Sequence, residues 1–263
     1  MSKTYKGQTT NNVVELTLQE EAVGAGFDTP TIAWDDTVNG VITQVQGDIP
    51  DNWASTDKVK GPLEIGTSCT SIGSQAFNFC TGLTGALVIP NSVTTISSGA
   101  FYGCSNLTGS LVIPDSVTSI DITAFSNCDG LTSLTIGNSV TSIGSYAFYS
   151  CGGLTGDLVI PNSVTSIGSG SFYNCTVLNG SLVIPNSVTT IGGNAFGRCN
   201  SLTTAYLAPP LANVGSNAFS GSGLTTVYAN DAEANGWTLG AGQTVGGKTG
   251  VTVIDWTNYP VTP

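Results

Sequence analysis

"LVIPNSVTSIGSGSFYNC", residues 158–175, is one version of a phrase that recurs along the chain with small changes. Aligned on the A-F-x-x-C part of the phrase, the copies place Phe77, Phe101, Phe125, Phe148, Phe172, Phe196 and Phe219 at intervals of 24, 24, 23, 24, 24 and 23 residues. A fixed period this short predicts a solenoid, because each unit is too small to bury its own apolar residues and must stack on its neighbours. Equivalent side chains then form ladders about 4.8 Å apart, the spacing of strands in a sheet. The phenylalanines are one such ladder. Cys80, Cys104, Cys128, Cys151, Cys175 and Cys199 are another.

Within a unit, Leu158-Val159-Ile160 alternates like a strand, and Pro161-Asn162-Ser163 ends it, since proline donates no N–H and Asn and Ser favour turns. Pro90, Pro114 and Pro185 repeat the stop. Val164–Ile167 is a second extended piece, closed by Gly168, and Ser169–Cys175 is expected to form one helical or 3-10 turn that directs Phe172 and Cys175 inward. The 24-residue copies carry an extra position filled by Gly85, Gly109, Gly156 or Gly180, where a bulge is expected to absorb one residue without a register shift. The fold class is therefore a mainly β repeat solenoid with short parallel strands and one short helical or 3-10 turn per 23–24-residue coil.

The pattern C-x-x-L-x-x-L-x-I-P-x-S-V-T-S-I-G-x-x-A-F, read from Cys128 to Phe148 with Gly137 at the proline position, resembles the BspA-type leucine-rich repeats of bacterial surface proteins, which also occur in phage proteins. The resemblance covers residues 63–226. It implies a right-handed leucine-rich-repeat superhelix and a role in adhesion or in binding proteins or glycans, and it brings no catalytic residues. Residues 1–62 differ in composition and are expected to form an N-terminal cap and attachment segment, with Val41, Thr43 and Val45 in a degenerate first coil. Residues 227–263 are expected to form a C-terminal cap: a short helix at Asp231–Asn235, a Gly-rich loop from Gly240 to Gly250, and a final strand from Val251 to Trp256.

Charge restricts the partners. The net charge is −11, from 17 acidic and 6 basic residues, which disfavours nucleic acid and anionic lipid surfaces. Nine of the acids precede Gly61, so the repeats are almost uncharged and Arg198 is their one base. The opening MSKTYKGQTTNNVVEL has no apolar h-region, and no apolar run is long enough for a membrane span. The expected setting is still an extracellular surface, either a cell envelope or a virion on which the N-terminal segment attaches and the repeats project. Possible self-association belongs to the same expectation.

Catalysis and metal binding find little support in the residues. The chain has no histidine, hence no Ser-His-Asp triad, and no C-x-x-C pair. No cofactor is expected, and the cysteines read as small buried core residues. Three surfaces offer binding instead. Period-two alternation turns Val88, Val112, Thr135, Val159, Val183 and Tyr206 outward as a candidate partner-binding stripe, with Glu64 at its start. Tyr102, Tyr149 and Tyr173, each following a ladder phenylalanine, are candidates for stacking on glycans. The hydroxyl column Thr70, Thr94, Thr118, Thr141, Thr165 and Thr189 carries a remote alternative, an ice-binding face.

Overall fold

The computed structural model describes residues 5–10, 13–18, 32–35, 41–45, 49, 51–52, 60–208, 213–229 and 240–255. The repeats form a parallel β-solenoid in which every coil has three sides. One side is the L-V-I strand, seen at Gly109–Val112, Leu131–Thr135, Leu158–Val159, Ser181–Ile184 and Thr204–Leu207. The second is the V-T-S-I segment, whose strands from Ser71–Ile72 to Asn213–Val214 build a seven-stranded parallel sheet. Its register is the repeat itself, with Ile143 opposite both Ile120 and Ile167. Between them runs the core, where leucine, isoleucine, valine, alanine, phenylalanine and cysteine columns are all buried. The seven phenyl rings form one continuous stack, with centroids 5.0–5.5 Å apart and planes within 3–11° of parallel.

The third side corrects the expected helical turn. The described residues contain no helix; the segment is a run of tight turns in which alternate N–H groups go to different partners. Ala76, Asn78 and Cys80 donate to Gly73, Gln75 and Phe77 in their own coil, whereas Gln75, Phe77 and Phe79 donate to Ser98, Ala100 and Tyr102 in the next. A helix would keep all of these bonds inside the segment and leave the coils unjoined on this side. The alternation needs left-handed backbone two residues before and two residues after each ladder phenylalanine. Ten of the eleven non-glycine residues with positive φ among the described residues lie in those two columns, including Asn127, Asn174, Asn194 and Asn217, and the eleventh, Asn52, donates to Ser74 as Gln75 does to Ser98 one coil later. Asparagine tolerates this region, whereas other side chains there cost roughly 1–2 kcal/mol each.

Three of the four glycines share a conformation, but the bulge falls elsewhere. Gly85, Gly109 and Gly156 have φ of +76°, +81° and +78°, whereas the pairing of Leu131–Thr135 with Gly109–Val112 shifts register between Leu131 and Ser133, which leaves Thr132 of the shorter coil as the extra residue and Gly109 paired. Gly180 does not share that conformation; it is required because a Cβ there would collide with the Gly156 backbone.

Both ends of the solenoid extend its sheets. Val41–Val45 pairs in parallel with Glu64–Ile65, and Ile49 bridges to Ile72, so a degenerate coil precedes the first clear repeat. The strands Tyr5–Thr10, Val13–Leu18 and Ile32–Asp35 continue that edge as antiparallel neighbours. At the other end, the expected Gly-rich loop is a hairpin: Gly240–Val245 lies antiparallel to Lys248–Asp255, which itself pairs in parallel with Thr226–Ala229. Gly246 and Gly247, both with positive φ, make the two-residue turn that antiparallel pairing favours. Gly246 accepts the Phe219 N–H at 2.9 Å and lies against the Phe219 ring, so this turn closes the phenyl stack. The expected helix at 231–235 and residue Trp256 fall outside the described residues.

One buried position breaks its column. Ala76, Ala100, Ala124, Ala147, Ala195 and Ala218 precede six of the ladder phenylalanines, and Ser171 precedes Phe172, fully buried with no hydrogen-bond partner for its hydroxyl. Ser171→Ala removes an unsatisfied polar group without changing the backbone, so it should raise unfolding stability by about 1 kcal/mol in urea titrations. A destabilised Ser171→Ala would mean that the hydroxyl has a partner.

Candidate functional site

The L-V-I strands place the candidate stripe in two registered runs. Glu64 bridges to Val88 and Val88 to Val112, which pairs with Thr135; further along, Val159 pairs with Val183, Val183 with Tyr206, and Tyr206 with Tyr228. Ile254, opposite Tyr228, ends the column. Inward neighbours such as Leu111, Leu158 and Leu182 are buried, while Val88, Val112 and Val159 remain 67%, 51% and 43% exposed. Thr135 is exposed, and Val183 and Tyr206 are half-buried. Tyr228 and Ile254 were absent from the stripe read from sequence. Tyr228 stacks on Tyr206 with centroids 4.8 Å apart and planes 9° from parallel. A second outward column of small polar groups, Ser181, Thr204, Thr226 and Thr252, runs beside the first in matched register. From Val183 to Ile254 the face is therefore an apolar line bordered by hydroxyls.

The tyrosines following the phenylalanines do not form one group. Tyr149 and Tyr173 stack on each other at 5.6 Å and 6°, and the Arg198 guanidinium lies 5.7 Å from the Tyr173 centroid, so these rings turn faces to their neighbours. Tyr102 is separated from them by the coil of Ser126 and meets Phe79 edge-on at 4.9 Å. On the threonine column, the hydroxyls of Thr94, Thr141, Thr165 and Thr189 donate to the preceding threonine carbonyls at 3.1–3.2 Å. Their protons are committed to the backbone.

The thiol column is chemically quiet. The hydrogens of Cys104, Cys128, Cys151, Cys175 and Cys199 go to the carbonyls of Phe77, Phe101, Phe125, Phe148 and Phe172 at 3.1–3.3 Å. All seven cysteines are buried free thiols. Burial pushes the thiol of Cys80 up to about 11, and those of Cys151 and Cys199 up to about 12, from an ordinary 9.0. Cys104, Cys128 and Cys175 are raised by the same desolvation, reinforced by neighbouring thiols in the column. A thiolate nucleophile is thus suppressed.

Three acids serve the backbone. Asp51, Asp115 and Asp157 each accept an N–H from the following coil, from Ser74, Asn138 and Ser181 at 2.6–2.7 Å. Among the described residues no group of three or more Cys, Asp or Glu is placed to hold a metal ion, and no helix is long and apolar enough to cross a membrane.

The BspA-type leucine-rich repeat model matches residues 55–179 and 176–233, in six copies. The chain belongs to the BspA-type leucine-rich repeat family. A crystal structure of a T. pallidum leucine-rich repeat protein is similar over 69% of this chain and 80% of its own, at 27% identity and a TM-score of 0.51. A leucine-rich cell surface protein of Faecalibacterium prausnitzii is similar over 84% of this chain and 76% of its own, at 22% identity and a TM-score of 0.46. No curated protein matches. In leucine-rich-repeat terms, the L-V-I strand supplies the stripe, and the phenylalanine turn supplies the tyrosines.

Proposed function

We propose that the protein is a non-enzymatic recognition module of an extracellular surface that holds a protein partner against its L-V-I strand face. The carrying observation is the outward file of two registered runs, Glu64 to Thr135 and Val159 to Ile254, in which Val88, Val112 and Val159 are exposed and the half-buried tyrosines are bordered by hydroxyls. Large apolar side chains held in water on a rigid sheet lose little further conformational freedom on binding, and contiguous exposed apolar area marks interaction sites. Repetition gives several weak contacts one spacing, so affinity builds with length. The shortage of charge on the repeats and the absence of histidine favour recognition over acid–base chemistry.

The double variant Val112→Asp, Val159→Asp tests this reading. Both side chains face water, so the folding cost should stay below about 1 kcal/mol each, the span of strand propensities. Binding to whichever member of an extracellular-protein panel the unmodified protein captures should fall at least about tenfold, equivalent to 1.4 kcal/mol. Equal capture by the double variant would remove the strand face as the interface.

A further inference from the structure

The turn side carries a second surface, independent of the strand face. Phe79 and Tyr146 stand 48% and 45% exposed with φ of 55° and 57°, aromatic residues in the two left-handed columns that other coils fill mainly with glycine and asparagine. Aromatic side chains in this backbone region are uncommon and point to a use for the ring. Each ring leans on a glycine of the next coil. A Cβ on Gly103 would lie 2.6 Å from Phe79 Cδ1, and one on Gly170 would lie 2.6 Å from Tyr146 Cε1. Tyr146 is braced again by Tyr149, edge to face at 5.8 Å and 69°. The rings are thus fixed on one side and wet on the other.

Their surroundings are polar but almost uncharged. Next to Tyr149 and Tyr173, Asn174 donates its amide to the Ser150 hydroxyl at 3.1 Å, and the one repeat cation, Arg198, is engaged over Tyr173. The coils between Phe79 and Tyr146 present the half-buried Thr123 and Asn127, with Ile122 as the exposed apolar side chain among them. A protein hot spot needs an apolar patch that can be fully desolvated, and a short row of phenols set among amides and hydroxyls does not supply one. A pyranose matches them better: its C–H face covers one ring, and its hydroxyls meet amides, hydroxyls and phenols. With a net charge of −11 and no free repeat cation near the ring, an anionic glycan is disfavoured.

We propose that Tyr146, backed by Gly170 and Tyr149, is a stacking platform for a sugar ring of an uncharged polysaccharide, with Phe79 as a second platform three coils away. The test is electrophoresis in native gels containing mixed-linkage β-glucan, galactomannan, xylan or hydroxyethylcellulose. The unmodified protein should be retarded by at least one polymer. Tyr146→Asn installs a residue that this column already uses at Asn194 and Asn217, so its melting temperature should be unchanged or higher while retardation weakens about tenfold. Tyr146→Phe should keep it, and Phe79→Asn should weaken it less than Tyr146→Asn. Val112→Asp with Val159→Asp should bind the polymer normally, which separates this surface from the strand face. Absence of retardation in all four gels, or equal retardation of Tyr146→Asn, overturns the proposal. Loss of a protein partner in Tyr146→Asn without any polymer binding overturns it in favour of a protein interface.

Discussion

Between about pH 9 and about pH 11 the solenoid is expected to lose its stability steeply, through its buried thiols. In the unfolded chain these groups ionise near their ordinary 9.0, whereas burial holds Cys151 and Cys199 neutral to about 12 and raises Cys104, Cys128 and Cys175 in the same direction. The contribution is complete below the unfolded value. As pH rises above it, unfolding releases protons that the native state retains, and stability falls until the native thiols themselves ionise. Each thiol removes about 1.4 kcal/mol per pH unit across this window, so five remove about 7 kcal/mol per unit, against a typical domain stability of about 5–15 kcal/mol. Urea midpoints followed by circular dichroism across this pH range measure the slope. Cys128→Ala with Cys151→Ala should make it shallower by about 3 kcal/mol per pH unit, at some cost in stability near neutrality. A midpoint that stays flat to about pH 10.5 would contradict the buried-thiol account.

Phe125→Ala is expected to cost about 3–5 kcal/mol, the range for truncating a buried aromatic ring. Phe125 sits mid-stack, with Phe101 at 5.3 Å on one side and Phe148 at 5.5 Å on the other, and is fully buried. Removing it opens a void that neither neighbour can fill, since each is held by its own coil. Because each coil contacts only its neighbours, the damage should also split the single unfolding transition into two, one for each flank. Phe125→Leu, which keeps much of the volume, should lose less. A loss below about 1 kcal/mol with one sharp transition would show that the ring column is not what joins the coils.

Much of this architecture was legible in the sequence for a simple reason: stacking turns a linear period into a spatial column. Phe77 to Phe219 and Cys80 to Cys199 are readable because burial demands the same residue type at each turn of the chain. The V-T-S-I strands were readable from alternation. The turn side was not, because A-F-x-x-C has apolar spacing compatible with a helical turn, and apolar spacing carries no information about the sign of φ. The signal lay beside the phenylalanines, in Gly99, Gly103, Gly170 and Gly221 and in Asn127, Asn174, Asn194 and Asn217, residue types that favour left-handed backbone. Alternation along the L-V-I strands is enough to place Val88 to Tyr206 at outward positions. The stripe was cut short at Tyr228 and Ile254 because Thr226–Ala229 lacks the Pro-Asn-Ser stop, and because the glycines of residues 240–250 suggested a loop where Gly246 and Gly247 make a hairpin turn. Tyr146 escaped notice because it repeats in no other coil, and a residue that breaks its column is invisible to an argument from periodicity.

The alternating N–H groups also set how the molecule bears load. Bonds such as Gln75 to Ser98 and Phe77 to Ala100 run from coil to coil, so tension applied across the two ends of the stack meets them a few at a time. The weakest junction yields first and releases its slack, about 80 Å of extended chain for a single turn, before the next is strained. A stack built this way gives up its length under a sudden pull in steps.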